Sequence, residues 1–204
     1  MTVRLPPFAP GQTIGLLGGT FDPPHAGHRL ISELALRRLR LDRLWWLVTP
    51  GNPLKATGGL AATRARVAAA RRLTRDPRIA VTGFEAEIGS RYTYQTIAWL
   101  SRRAPGARFV WIMGADNLGQ FHLWRRWRDI ANLAPIVVVD RPGSTLRALA
   151  GPAGGALGRY RRSEALAARF ARLPPPAFLF LHGPRSDLSS TALRRVAAAP
   201  DALS

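Results

Sequence analysis

The chain has 204 residues, no cysteine and a formal net charge of +18 at pH 7. That length suffices for one domain with a real core, and the missing thiols exclude a disulfide framework, a thiolate metal site and a cysteine nucleophile. The hydrophobic fraction of 47% argues against disorder, no apolar run reaches membrane-spanning length, and Pro6-Pro7 interrupts the start where a signal peptide needs an apolar helix. The expectation is a cytoplasmic protein that engages no membrane.

The charge raises the possibility of an arginine-rich nucleic-acid-binding module. Of the 30 basic residues only Lys55 is lysine, and the arginines are spread along a chain also rich in Ala, Gly and Pro. This pattern points to coding bias and solvated helix faces, so specific nucleic-acid binding is not expected. A positive field still attracts anionic nucleotides.

In chain order, residues 1–12 read as a mobile lead-in. Thr13 to Gly18 reads as a buried strand closed by glycine, and Gly27 to about Arg40 as the first helix. Between them lies Gly18-Gly19-Thr20-Phe21-Asp22-Pro23-Pro24-His25-Ala26-Gly27-His28. A strand that ends in glycines and turns into a helix presents backbone amides to a phosphate, yet this loop matches neither the P-loop nor the dinucleotide fingerprint. Leu44 to Val48 is a second strand, followed by a Pro/Gly loop through Lys55. A helix is expected over Thr63 to Thr74, capped by Thr63, then a short strand at Arg78 to Val81. Ser90 to Thr96 opens a helix running to about Arg103. Phe109 to Met113 is a strand ending in Gly114-Ala115-Asp116, and a Trp-rich piece precedes the strand Ile136 to Val139. Residues 141–176 read as loop with a weak helix near 163–172. Phe178 to Leu181 is the last strand, and residues 187–199 hold a final helix start suited to phosphate. Alternating strands and helices predict an α/β fold, a Rossmann-like doubly wound, mostly parallel sheet with helices on both faces, as a single domain over residues 1–204. Ligands of such sheets sit at the carboxyl ends of the strands, where loops 18–28, 49–55, 114–116 and 182–194 converge.

His25 and His28 can be a helix cap with a core histidine, or half a zinc site. Zinc would need further ligands, with only His122 and His182 left. Their place in a glycine loop at a helix N-terminus favours phosphate contact. A loop lysine such as Lys55 is usually just solvated, but as the single lysine it suggests a functional ammonium, which a guanidinium does not replace. Ser189, Ser190 and Thr191 can cap a helix and, with Arg194 one turn in, also form a second anion site. Trp124 and Trp127 are core aromatics unless one stacks on a flat ring. Asp116 either caps a turn or hydrogen-bonds a ribose hydroxyl, and Tyr92 and Thr93 can be ordinary helix-start residues. Two facing anion sites without a nucleophile–base couple suggest phosphoryl or nucleotidyl transfer to a substrate that is already an anion.

These motifs, in this order, resemble the bacterial nicotinate-nucleotide adenylyltransferase family of the HxGH nucleotidyltransferase superfamily. The resemblance rests on residues 18–28, Asn52-Pro53-Leu54-Lys55, Tyr92-Thr93, Gly114-Ala115-Asp116 with Trp124-x-x-Trp127, and Ser189-Ser190-Thr191-x-x-Arg194. It implies transfer of AMP from ATP to nicotinate mononucleotide with Mg²⁺, within NAD biosynthesis. It implies catalytic roles at phosphate for His25, His28, Lys55 and Arg194. Gly18, Gly19, Thr20, Phe21, Asp116, Ser189, Ser190 and Thr191 would bind ATP, and Tyr92, Thr93 and Trp124 the nicotinate nucleotide. No protein side chain is implied as the main metal ligand. The chain departs from the family at Leu54, where many members carry histidine. Nicotinamide mononucleotide or another phosphorylated acceptor such as phosphopantetheine is the alternative substrate.

Overall fold

The structure, a computed structural model, describes residues 3–51, 60–140 and 145–183. Among them six strands form one parallel sheet: β1 (Thr13–Gly19), β2 (Arg43–Val48), β3 (Ile79–Thr82), β4 (Arg108–Gly114), β5 (Ile136–Val139) and β6 (Phe178–Leu181), in the order β3-β2-β1-β4-β5-β6. The helices are α1 (Ala26–Arg38), α2 (Thr63–Leu73), α3 (Phe84–Glu87), α4 (Thr93–Arg103), α5 (Ala115–Gln120), α6 (Trp127–Leu133), α7 (Thr145–Ala150), α8 (Pro152–Gly158) and α9 (Ala167–Phe170). None of the described helices is long and apolar enough to cross a membrane.

The near-continuous apolar runs of the strands follow from burial on both faces. Strand alternation sends Ile14, Leu16, Trp45 and Trp111 to one core, with Ile97 and Leu100 of α4, Leu118 of α5, Ile130 of α6 and Leu157 of α8. Leu17, Trp46, Val110 and Ile112 go to the other, with Ile31, Leu34 and Leu36 of α1, Ala70 of α2 and Phe170 of α9. The sheet is therefore doubly wound, as the pattern of elements predicts.

Three expectations are corrected. Residues 3–12 are docked: Val3, Leu5 and Phe8 pack on the first core, Phe8 meets Trp45 edge-on at 6.0 Å, and Gly11 N donates to Gly106 O at 2.6 Å. Apolar side chains between the prolines provide that anchor. The stretch 145–158, read as loop, forms α7 and α8, with Pro152 in the first turn of α8, where its missing N–H costs nothing. Thr63 does not cap α2. Ala62 is the N-cap, and the Thr63 hydroxyl instead accepts from Arg66 at 3.0 Å.

Gly154 shows why α8 uses glycine. A Cβ there would lie 2.4 Å from the backbone oxygens of Ala148 and Leu149, whereas one at Gly155 would meet nothing within 4 Å. Gly154→Ala should lower stability by about 1–3 kcal/mol through overpacking. Gly155→Ala should be neutral or stabilising by up to about 1 kcal/mol. Paired thermal melts check both, and equal effects would contradict the close approach.

Candidate active site

The β1 loop is built on aromatic packing. Phe21 adopts φ +49°, a left-handed conformation that a bulky residue rarely takes without enforcement. Its ring, fully buried, stacks on Trp46 with centroids 5.0 Å apart and contacts the His28 ring at 4.5 Å. The Phe21 side chain thus supports the loop from beneath, so any contact of Phe21 with ATP would be made by its main chain. The Trp46 indole N–H donates to Ser32 Oγ (2.7 Å), whose hydroxyl donates to the His28 carbonyl at 2.8 Å. The first turn of α1 is fastened to the sheet by these contacts.

His25 occupies the N-cap of α1, and the two imidazole centroids lie 3.8 Å apart. The His25 backbone N–H donates to His28 Nδ1 at 3.2 Å. A nitrogen that accepts cannot carry the proton, so neutral His28 is held as the Nε2–H tautomer, a donor suited to an anion. The N-terminal turn and the dipole of α1 add positive potential at the same end. Gly18 and Gly19 close β1 immediately before this turn. A Cβ on Gly18 would sit 2.6 Å from Trp111 Cη2, so the strand end needs glycine to lie against that indole.

The topology brings a second group of residues near this turn. β4 pairs beside β1 and ends at Gly114, so Asp116 stands exposed in the first turn of α5. Trp124 is half-buried, edge-on to Phe121 (5.3 Å) and to Trp111 (6.1 Å), which makes Trp111 a bridge between Gly18 and Trp124. Trp127 is core. Tyr92 is the N-cap of α4 and Thr93 its first residue, and the Arg125 guanidinium lies over the Tyr92 ring at 5.0 Å. Tyr92, Thr93 and the segment after Trp124 therefore share one region. A separate cleft of about 530 Å³ opens between α4 and α6, lined by Trp99, Arg126 and Leu133 among others.

Of the other sequence candidates, Lys55, Ser189, Ser190, Thr191 and Arg194 lie outside the described residues. His182 bonds to Glu164 at 2.9 Å, and among the described residues no group of three or more acidic or histidine side chains is placed to hold a metal.

Three buried charged residues escaped the sequence reading: Arg66, Glu85 and Asp140. Arg66 is 3% exposed and reaches the carbonyls of both the β1 and β2 loops. Glu85, 7% exposed on α3, accepts from Thr96 Oγ1 at 2.6 Å, and Thr96 in turn is 2.8 Å from Ser90 Oγ. Burial raises the Glu85 carboxyl to about 7, against hydrogen bonds from Thr96 and Thr49 that pull it down. The network ties the end of β2 to the start of α4.

The chain matches the cytidylyltransferase-like family model over residues 16–196. It is 62% identical over 181 residues to the probable nicotinate-nucleotide adenylyltransferase of Methylorubrum extorquens, spanning 89% of this chain and 98% of that protein. The corresponding Agrobacterium fabrum protein is 55% identical over 183 residues, 90% and 98% of the two chains. The chain belongs to the nicotinate-nucleotide adenylyltransferase family. It is accordingly a nucleotidyltransferase, an enzyme class that works with a divalent metal. Among solved structures, Plasmodium falciparum nicotinic acid mononucleotide adenylyltransferase complexed with NaAD superposes with a TM-score of 0.67 at 14% identity, over 90% of this chain and 83% of that one. A putative nicotinate-nucleotide adenylyltransferase from Vibrio parahaemolyticus gives 0.57 at 13% identity, over 95% and 85%. At those identities the likeness is one of fold.

Glu85 generates a pH prediction. Its folded value of about 7 stands above the ordinary 4.5, so the stabilisation it gives is full below pH 4.5 and is lost as pH rises to 7. The loss is on the order of 3 kcal/mol. Glu85→Gln keeps an acceptor for Thr96 and does not titrate. Melting both proteins at pH 5 and pH 8 should show the variant gaining on the wild type at the higher pH. Parallel pH profiles would contradict a neutral buried carboxyl.

Proposed function

We propose that the chain is a cytoplasmic enzyme of NAD biosynthesis that transfers AMP from ATP to nicotinate mononucleotide. An oxygen of the acceptor's phosphate attacks the α-phosphorus, the α–β bridging bond breaks, and pyrophosphate leaves with its electron pair. The nucleophile is already an anion, so no general base is required. The protein's task is to align the two phosphates and to neutralise charge in line.

The observation that carries this reading is the pair of adjoining imidazoles at the N-terminus of α1, beside the glycine end of β1. His28, as the Nε2–H tautomer, and His25 donate to the transferring phosphate. Lys55 and Arg194 complete the catalytic set. Gly18, Gly19, Thr20, the main chain of Phe21, Ser189, Ser190 and Thr191 hold ATP phosphates, with Asp116 on the adenosine side. Tyr92 and Thr93 receive the nicotinate carboxylate at the start of α4, where backbone amides favour an anion, and Trp124 stacks on the pyridine ring. The donors around the β1 loop are imidazoles and amides, which suit phosphate better than Mg²⁺. Magnesium coordinated by ATP phosphates and water therefore fits this site, and when bound it offsets their negative charge.

Incubation with ATP, Mg²⁺ and nicotinate mononucleotide should release pyrophosphate, and replacing the acceptor with its amide should be markedly poorer. No release with either acceptor overturns the reaction, while preference for the amide overturns only the acceptor. His28→Ala should lower kcat by about 10³-fold and cost about 1 kcal/mol of stability through the lost cap. Near-normal turnover in that variant would remove His28 from the transition state.

A further inference from the structure

Arg66 lies in α2, outside every motif, yet its guanidinium is among the most fully engaged polar groups in the described chain. Each of its N–H donors meets an oxygen: Nε donates to Ala61 O (2.7 Å), Nη1 to Thr20 O (2.6 Å) and Thr49 O (2.8 Å), and Nη2 to Thr63 Oγ1 (3.0 Å) and Pro50 O at 3.4 Å. None of these acceptors is a carboxylate. A buried cation is costly unless something compensates it; here carbonyl dipoles do so, helped by the field of the Asp22 carboxylate.

The acceptors share a location. Thr20 follows the last residue of β1, and Thr49 and Pro50 follow the last residue of β2. The strands' backbone pairing reaches as far as Thr49 N donating to Gly19 O at 3.0 Å. Beyond that bond the ladder no longer sets the spacing of the two loops; Arg66 bridges them from below. One loop leads into Phe21 and the histidines, the other into residues 52–55.

We propose that Arg66 is a positioning residue for adenylyl transfer, holding the β1 and β2 loops at one separation so that both meet the same triphosphate. At 3% exposure it acts through the loops and does not touch substrate. Its bonds also offset the negative ends of three loop carbonyls. The role depends on the planar fork. A lysine carries its donors at one point and cannot reach acceptors spread around a guanidinium, so charge alone does not fulfil it.

The inference rests on the proposed reaction, which wild-type turnover in the same assay tests separately. Arg66→Met and Arg66→Lys should both fold by circular dichroism and both exchange amide hydrogens faster in peptides covering 19–24 and 48–51, a readout that needs no turnover. At saturating nicotinate mononucleotide, both should lose about 10²-fold in kcat/KM for ATP, while KM for nicotinate mononucleotide stays at the wild-type value. Wild-type kinetics in Arg66→Lys would show that charge suffices and overturn positioning by the fork. Equal rises in KM for both substrates, or unchanged exchange in the two loops, would also overturn it. If neither variant folds, Arg66 serves the fold alone and the proposal fails.

Discussion

The structure depends on the reversal of strand order at β1. Its neighbours are β2 on one side and β4 on the other, and the connections after β1 and β4 pass to opposite faces of the sheet. α1 joins the core with Leu17 and Trp46, and α5 the core with Leu16 and Trp111. Neither covers the gap between the strands' carboxyl ends, so a crevice opens there in any sheet wound this way. The glycine turn, the histidine pair and Asp116 all stand on its rim. Nothing about the chemistry needs to be invented apart from that topology; it places the polar residues.

What the crevice presents is positive potential with little mobile charge. The amides of the first turn of α1 and the tautomer of His28 are fixed by covalent geometry and by hydrogen bonds that exist before any ligand arrives. Preorganised donors of this kind need little rearrangement when charge develops in a transition state. The aromatic layer of Phe21, Trp46 and His28 keeps the turn in its strained shape, and the Arg66 fork secures its distance from the neighbouring loop. Glu85 plays a comparable part beside α4, where a buried carboxyl raised to about 7 joins the end of β2 to that helix.

The sheet was legible in the sequence because each strand is a short apolar run bounded by turn residues, and period and punctuation agree there. The histidine turn was legible because its residue types are uncommon together. Helices α7 and α8 were not: Gly and Ala dominate them, and their stability comes from packing against α5 and each other, which no local pattern encodes. Residues 3–12 escaped because prolines suggested an unanchored segment, whereas Phe8 finds a partner in Trp45, far along the chain. Arg66 was invisible for a different reason. In a chain with so many arginines, only the convergence of carbonyls from separate loops distinguishes it, and convergence is a property of the fold. The sequence marked Phe21 as part of the motif but did not show that its side chain is buried beneath the loop, packed on Trp46.

The central claim is that the histidine turn at β1 holds the transferring phosphate while the start of α4 holds the acceptor. A crystal structure with nicotinate mononucleotide and an ATP analogue blocked at the α–β bridge tests it most directly. The account predicts the triphosphate within hydrogen-bond reach of His25 and His28, and the nicotinate carboxylate at the Tyr92 and Thr93 amides with Trp124 against the ring. A triphosphate bound away from the N-terminus of α1, or a nicotinate lodged in the cleft between α4 and α6, would contradict it.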